Sequence, residues 1–86
     1  MTKREIQKEV QLLLENKIGE LGYTFADDHS GRITYISEDN KTEIVYTRTG
    51  NYVLIDGPDT SDNNDLEDRL NKYLIRVLPL VEVAYS

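Results

Sequence analysis

The chain has 86 residues, no cysteine, no tryptophan, one histidine and a formal charge of −6. That length fits one domain, residues 1–86, with a modest core. The missing thiols exclude disulfides and thiolate metal sites and make a reducing cytoplasm the expected compartment. The acidic balance disfavours direct nucleic-acid binding, which rests on Lys and Arg neutralising phosphates.

Residues 2–21 read as a helix. Thr2 and Glu5 have the spacing of a capping box. Ile6, Val10, Leu13, Leu14, Ile18 and Leu21 fall on one arc at 100° per residue, and Gly22 suits the C′ position that ends the helix. Leu12 points away from that arc. The charged start of this helix lacks the apolar run of a signal peptide, and no segment approaches the roughly 18 apolar residues of a membrane span.

Four strand candidates follow, near 23–26, 32–37, 42–48 and 52–56. The segments between them are rich in Asp, Asn, Ser and Gly, which predicts an antiparallel meander with short turns. Tight turns would set Tyr35 opposite Ile44 and Ile33 opposite Tyr46. One sheet face then holds Tyr23, Phe25, Ile33, Tyr35, Ile44, Tyr46, Val53 and Ile55. The other holds Thr24, Thr34, Ile36, Glu43, Val45, Thr47, Tyr52 and Leu54. A slip of one residue would scramble this division, so its consistency over three hairpins supports the register.

Residues 57–62 read as a loop and 63–78 as a second helix. Leu66, Leu70, Tyr73, Leu74 and Val77 form its stripe, and Asp62 or an Asn64–Glu67 pair would cap it. Pro79 is expected to stop it, leaving residues 80–85, through Tyr85, as a last strand. The expected fold class is α+β, ordered α-β-β-β-β-α-β, with two helices packed on one face of an antiparallel sheet.

The charge is concentrated. Asp56, Asp59, Asp62, Asp65, Glu67 and Asp68 lie within thirteen residues that contain no base. Acids in the first turns of the second helix complement its dipole, but the dipole does not account for Asp56 or Asp59. A dense negative strip suits docking of a basic protein surface. A small-ligand or divalent-cation site built on the same carboxylates is the alternative. The spacing from Asp59 follows a calcium loop until Asn64 stands at the glycine position and Leu70 at the bidentate one. No metal or cofactor is therefore expected.

His29 lies beside Asp27, Asp28 and Ser30, but catalytic trios are assembled from distant segments, not from neighbours at a hairpin tip. It is expected to be an exposed turn residue. A fold this small leaves little room for a pocket of several hundred cubic ångströms. These points argue against an enzyme. Ile36, Val45, Tyr52 and Leu54 cluster on the sheet face without helices, and contiguous exposed apolar groups mark association. That face is the expected self-association surface, with a homodimer as one outcome. The function expected from the sequence is a non-catalytic interaction or regulatory module.

Overall fold

The computed structural model describes residues 2–84. Helix α1 spans Lys3–Glu20, strands β1 to β4 span Thr24–His29, Arg32–Ile36, Glu43–Thr47 and Tyr52–Asp56, and helix α2 spans Ser61–Ala84. The strands form one antiparallel sheet in the order β1-β2-β3-β4. The fold is α+β, with both helices on one side of an open antiparallel sheet.

Local chemistry fixes both ends of α1. Thr2 Oγ1 accepts from the Glu5 N–H at 3.2 Å, and Glu5 Oε1 accepts from the Thr2 N–H at 3.3 Å. This reciprocal box satisfies two otherwise orphan donors and holds the Glu5 carboxyl below its usual range, chiefly through the side-chain bond with Thr2. At the other end Gly22 takes φ 89°. Its N–H reaches the Gly19 carbonyl, and the Tyr23 N–H reaches the Ile18 carbonyl at 3.3 Å. That pair of bonds is the Schellman ending, which needs a left-handed residue at C′.

The expected register is the observed one: Ile33 pairs with Tyr46, Tyr35 with Ile44, Ile44 with Ile55, and Tyr46 with Val53. Alternation therefore delivers one apolar face to the helices. Ile33, Tyr35, Ile44, Tyr46 and Val53 are buried there against Val10, Leu14 and Ile18 of α1 and Leu70, Leu74, Val77 and Val81 of α2. Ile6 and Leu13, expected deep in the core, are half-buried at its margin. Leu21 forms the C-cap of α1 and is exposed, so it leaves the stripe assigned to it. Two core phenols find partners. Tyr46 donates to Asn51 Oδ1 at 3.0 Å, and Tyr35 donates to Glu15 Oε1 at 2.9 Å. Burial, with Glu15 adding to it, pushes the Tyr35 phenol well above its ordinary value.

Strand β1 departs from expectation. It continues through Asp27–His29, which the sequence assigns to a turn, and the reversal falls on Ser30 and Gly31, both left-handed. Two consecutive positive-φ residues match the twist of a two-residue hairpin. A bulge between Phe25 and Asp27 shifts the side-chain phase. Without it, Asp27 and His29 would point at the helices. Phe25 stands on the helix side as expected, edge-on to Tyr35 with ring centroids 6.3 Å apart, yet it is 59% exposed because β1 lies beyond the cover of the helices.

Helix α2 starts earlier than expected and runs further. Thr60, not Asp62 or Asn64, is its cap: Thr60 Oγ1 accepts from the Asn63 N–H at 3.1 Å, and the Thr60 carbonyl accepts from the Asn64 N–H. No strand forms at residues 80–84, the described part of the strand expected at 80–85. The helix continues through Pro79 to Ala84, while Tyr85 lies outside the described residues. Val81 explains the difference. It is 5% exposed and extends the stripe of Leu70, Leu74 and Val77 by one more turn, so burial outweighs the lost hydrogen bond. Pro79 itself is exposed. The carbonyl it orphans, four residues back at Ile75, lies on a residue that is 71% exposed and can be hydrated. Pro79→Ala should therefore stabilise the protein by about 1–2 kcal/mol, less than the ~3 kcal/mol of a mid-helix proline because the helix end is near. Denaturant melts of the two proteins measure it, and an unchanged midpoint would show that the last turns are frayed.

The β2–β3 loop is held by Asp39, whose Oδ1 accepts from Ser37 Oγ at 2.7 Å and from the Lys41 N–H at 3.0 Å. These bonds, the Ser37 hydroxyl first, lower its carboxyl below the usual value. A depressed folded value means the contribution is complete above the unfolded-state value of about 3.9 and disappears as pH falls through the lower folded one. The Lys41 amide resonance should titrate with a midpoint below about 3.9, and Asp39→Asn should erase that step. A midpoint at or above the ordinary value would mean these bonds do not persist in solution.

Candidate interaction face

Strand β4 is the sheet edge beside α2, and three of its outward backbone groups are paired by α2 side chains. The Val53 N–H donates to Asn71 Oδ1 at 2.8 Å, and Asn71 Nδ2 donates to the Val53 carbonyl at 3.0 Å. The Ile55 N–H donates to Glu67 Oε1 at 2.8 Å. One amide side chain thus imitates a neighbouring strand, and a carboxylate caps the next donor. Edges left bare invite pairing with other chains. Here α2 closes this one.

That arrangement places Glu67 in a structural role and divides the acidic strip. Asp65 and Asp68 lie on the outer side of α2 and pair with Arg69 at 3.1 Å and Lys72 at 2.9 Å. Such exposed i,i+4 pairs are screened by solvent and contribute little, and the bond to Asp68 raises the Lys72 ammonium above its ordinary value. Asp59 accepts from Asn64 Nδ2 at 3.1 Å. Asp62 sits in the first turn of α2. Among the described bases, none forms an ion pair with Asp56, Asp59 or Asp62.

Asp56 has a different neighbour. Strand pairing sets it directly opposite Glu43. Two carboxylates facing each other across a ladder repel, so one end of the sheet is an acidic corner. Glu43 is thirteen positions from Asp56, and no scan of local charge joins them. The register does, since pairing Ile44 with Ile55 makes Glu43 and Asp56 partners.

The sheet side opposite the helices has three rows. Ile36, Glu43 and Asp56 form the first, Thr34, Val45 and Leu54 the second, and Arg32, Thr47 and Tyr52 the third. Strand β1 adds Thr24, Asp27 and His29 to them in turn. Neither helix covers this side. Tyr52 and Leu54 are 43% and 48% exposed, and Ile36 and Val45 are half-buried by their neighbours alone. The Tyr52 ring lies against Gly50, where a Cβ would come within 2.6 Å of it, so the glycine lets the ring lie flat over the turn. The face therefore has an apolar centre, an acceptor end at Glu43 and Asp56, and a donor-bearing end at Arg32, Thr47 and Tyr52.

The alternation along β1 separates the residues around His29. Asp27 and His29 face the open side, whereas Asp28 faces the helix side and pairs with Arg48 at 3.1 Å. His29 is exposed, as expected, but ends a strand instead of lying in a turn. Among the described residues no three His, Cys, Asp or Glu side chains converge as a metal-binding group. Leu70, at the bidentate position of the calcium spacing, is in the core.

The expectation that the fold has little room for a cavity needs correction. A cleft of about 470 Å³ opens between the start of α1, the β3–β4 loop and the end of α2, with Lys3, Gln7, Arg48 and Asn51 among its lining. Glu82 lines it as well, and Arg48 Nε is buried without a hydrogen-bond partner. No described helix is long and apolar enough to cross a membrane.

Comparison with known protein families, with curated proteins and with solved structures finds no match to this chain.

Proposed function

We infer that this chain is a non-catalytic protein-interaction module that meets its partner through the open face of the sheet, in a reducing cytoplasm. The observation that carries this reading is the make-up of that face. Ile36, Val45, Tyr52 and Leu54 stay uncovered while the opposite side is closed by both helices. Contiguous apolar area of this kind is a usual mark of association. The Glu43–Asp56 corner selects positively charged groups, because cations brought against two facing carboxylates relieve their repulsion, and Asp59 and Asp62 add to the negative field. Asp65 and Asp68 extend the negative field from α2 but are already matched by Arg69 and Lys72. Glu67 takes no part, being committed to β4.

The test uses the immobilised protein against the soluble proteins of its own host. Species retained at low salt should leave as salt rises, because exposed charge contacts are screened over about 10 Å at 0.1 M. They should be lost from Leu54→Glu, and weakened by Glu43→Gln with Asp56→Asn. Retention of the same species by Leu54→Glu would overturn the open-face reading.

One observation favours the small-ligand alternative, at the cleft and not at the carboxylates. Lys3 and Arg48 line the cleft beside the single acid Glu82, and Arg48, paired with Asp28 through Nη2, keeps an unpartnered Nε that suits a small anion. Inorganic phosphate should then shift the amides of Thr49–Asn51 saturably. Unchanged resonances at millimolar phosphate would remove that reading.

A further inference from the structure

We propose that the partner of this face is a second copy of this chain, stacked open face to open face about a two-fold axis that runs across the strands. The inference rests on the open-face reading above and names the partner of that face.

The ends of the face are chemically opposite. Glu43 and Asp56 can only accept, whereas Arg32, Thr47 and Tyr52 at the far end carry donors. Two sheets can be stacked by a two-fold lying in their interface in two ways. An axis along the strands sets like ends together, so four carboxylates crowd one end and two guanidinium groups the other. An axis across the strands reverses each copy along its length. The Tyr52 hydroxyl of each copy then lies over Asp56 of the other, and the Thr47 hydroxyl over Glu43. Arg32, one strand away at about 4.8 Å, reaches the same Glu43. In the middle, Val45 and Leu54 meet their own counterparts. The second arrangement satisfies the acceptors that the single chain leaves unpaired, and the first does not.

The same symmetry sets one unfavourable contact. Asp27 belongs to the middle row and lies at the β1 edge, so it faces its own copy. The dimer is therefore centred on β3 and β4, with the β1 edges splayed. The contact is small, three strands of five residues from each copy, at the low end of stable interfaces. Assembly should accordingly depend on concentration.

Sedimentation of the full chain over a range of concentrations tests this, with circular dichroism confirming that each variant is folded. The wild type should shift from monomer to dimer mass as concentration rises. Arg32→Glu and Glu43→Arg should each remain monomeric at least tenfold beyond the wild-type midpoint. Mixed in equal amounts they should form a heterodimer, because each then opposes the altered charge of the other. Asp27→Asn should tighten the wild-type dimer.

A wild type that stays monomeric at millimolar concentration overturns the proposal, as does a mixture that stays monomeric. A dimer that survives both Leu54→Glu and Arg32→Glu uses another surface and also overturns it. The open-face reading fails separately, when Leu54→Glu keeps the partners of the wild type. A monomeric wild type whose partners are lost by Leu54→Glu would sink the self-association alone.

Discussion

Replacing Asn71 with Ala should lower the unfolding free energy by about 2 kcal/mol and the melting temperature by roughly 10 °C. The substitution removes little apolar area. Its effect comes from the Val53 N–H and carbonyl, which lose both partners at once while α2 still shields them. A buried polar group left unmatched costs about 1–3 kcal/mol, and water can reach this half-buried site in part. Graded variants separate the two bonds. Asn71→Asp keeps the acceptor for Val53 N–H and loses the donor, so it should fall between wild type and Ala. At the neighbouring contact, Glu67→Gln keeps an oxygen for the Ile55 N–H and should be mild, whereas Glu67→Ala should not. Hydrogen exchange gives the local readout: the Val53 amide should lose protection in Asn71→Ala beyond the global change. Unchanged protection there would mean that α2 does not seal the edge.

Ile44→Ala should cost about 3–4 kcal/mol and Val45→Ala about 1 kcal/mol or less. The residues are neighbours on β3, but Ile44 is fully buried beneath both helices and Val45 lies on the uncovered side. Truncating a closed core leaves a cavity that its surroundings cannot fill, while a half-exposed site is rehydrated. A domain of this size has only about 4–13 kcal/mol of stability in all, so the first variant should be close to unfolding at physiological temperature. Urea titration of the pair measures the difference. Equal costs would mean that the open face is covered in solution, and a concentration-dependent cost at Val45 would point to the dimer interface.

Sequence by itself determined most of the local structure and the division of the sheet into two faces. Thr2, Glu5 and Gly22 act within one helical turn, and a period of two places Ile33, Tyr35, Ile44, Tyr46 and Val53 together whatever surrounds them. These are short-range rules, and they were legible for that reason. The open face followed from the same alternation, so Ile36, Val45, Tyr52 and Leu54 were readable as a group.

Tertiary structure decided what depends on contacts between distant segments. The turn of helix after Pro79 persists because Val81 finds a place in the core, a gain no local propensity records. The bulge before Asp27 exists only in relation to β2, and it moves Asp27 and His29 to the opposite side of the sheet. The strip from Asp56 to Asp68 looked like one charged surface because the residues are consecutive. Folding gives its members different surroundings, and Glu67 and Asn71 face the edge of β4 because helix and strand lie alongside each other there. Charge is a property of residues, but a charged surface is a property of which residues end up adjacent. That adjacency set Glu43 beside Asp56 and matched Asp65 and Asp68 with bases one turn away.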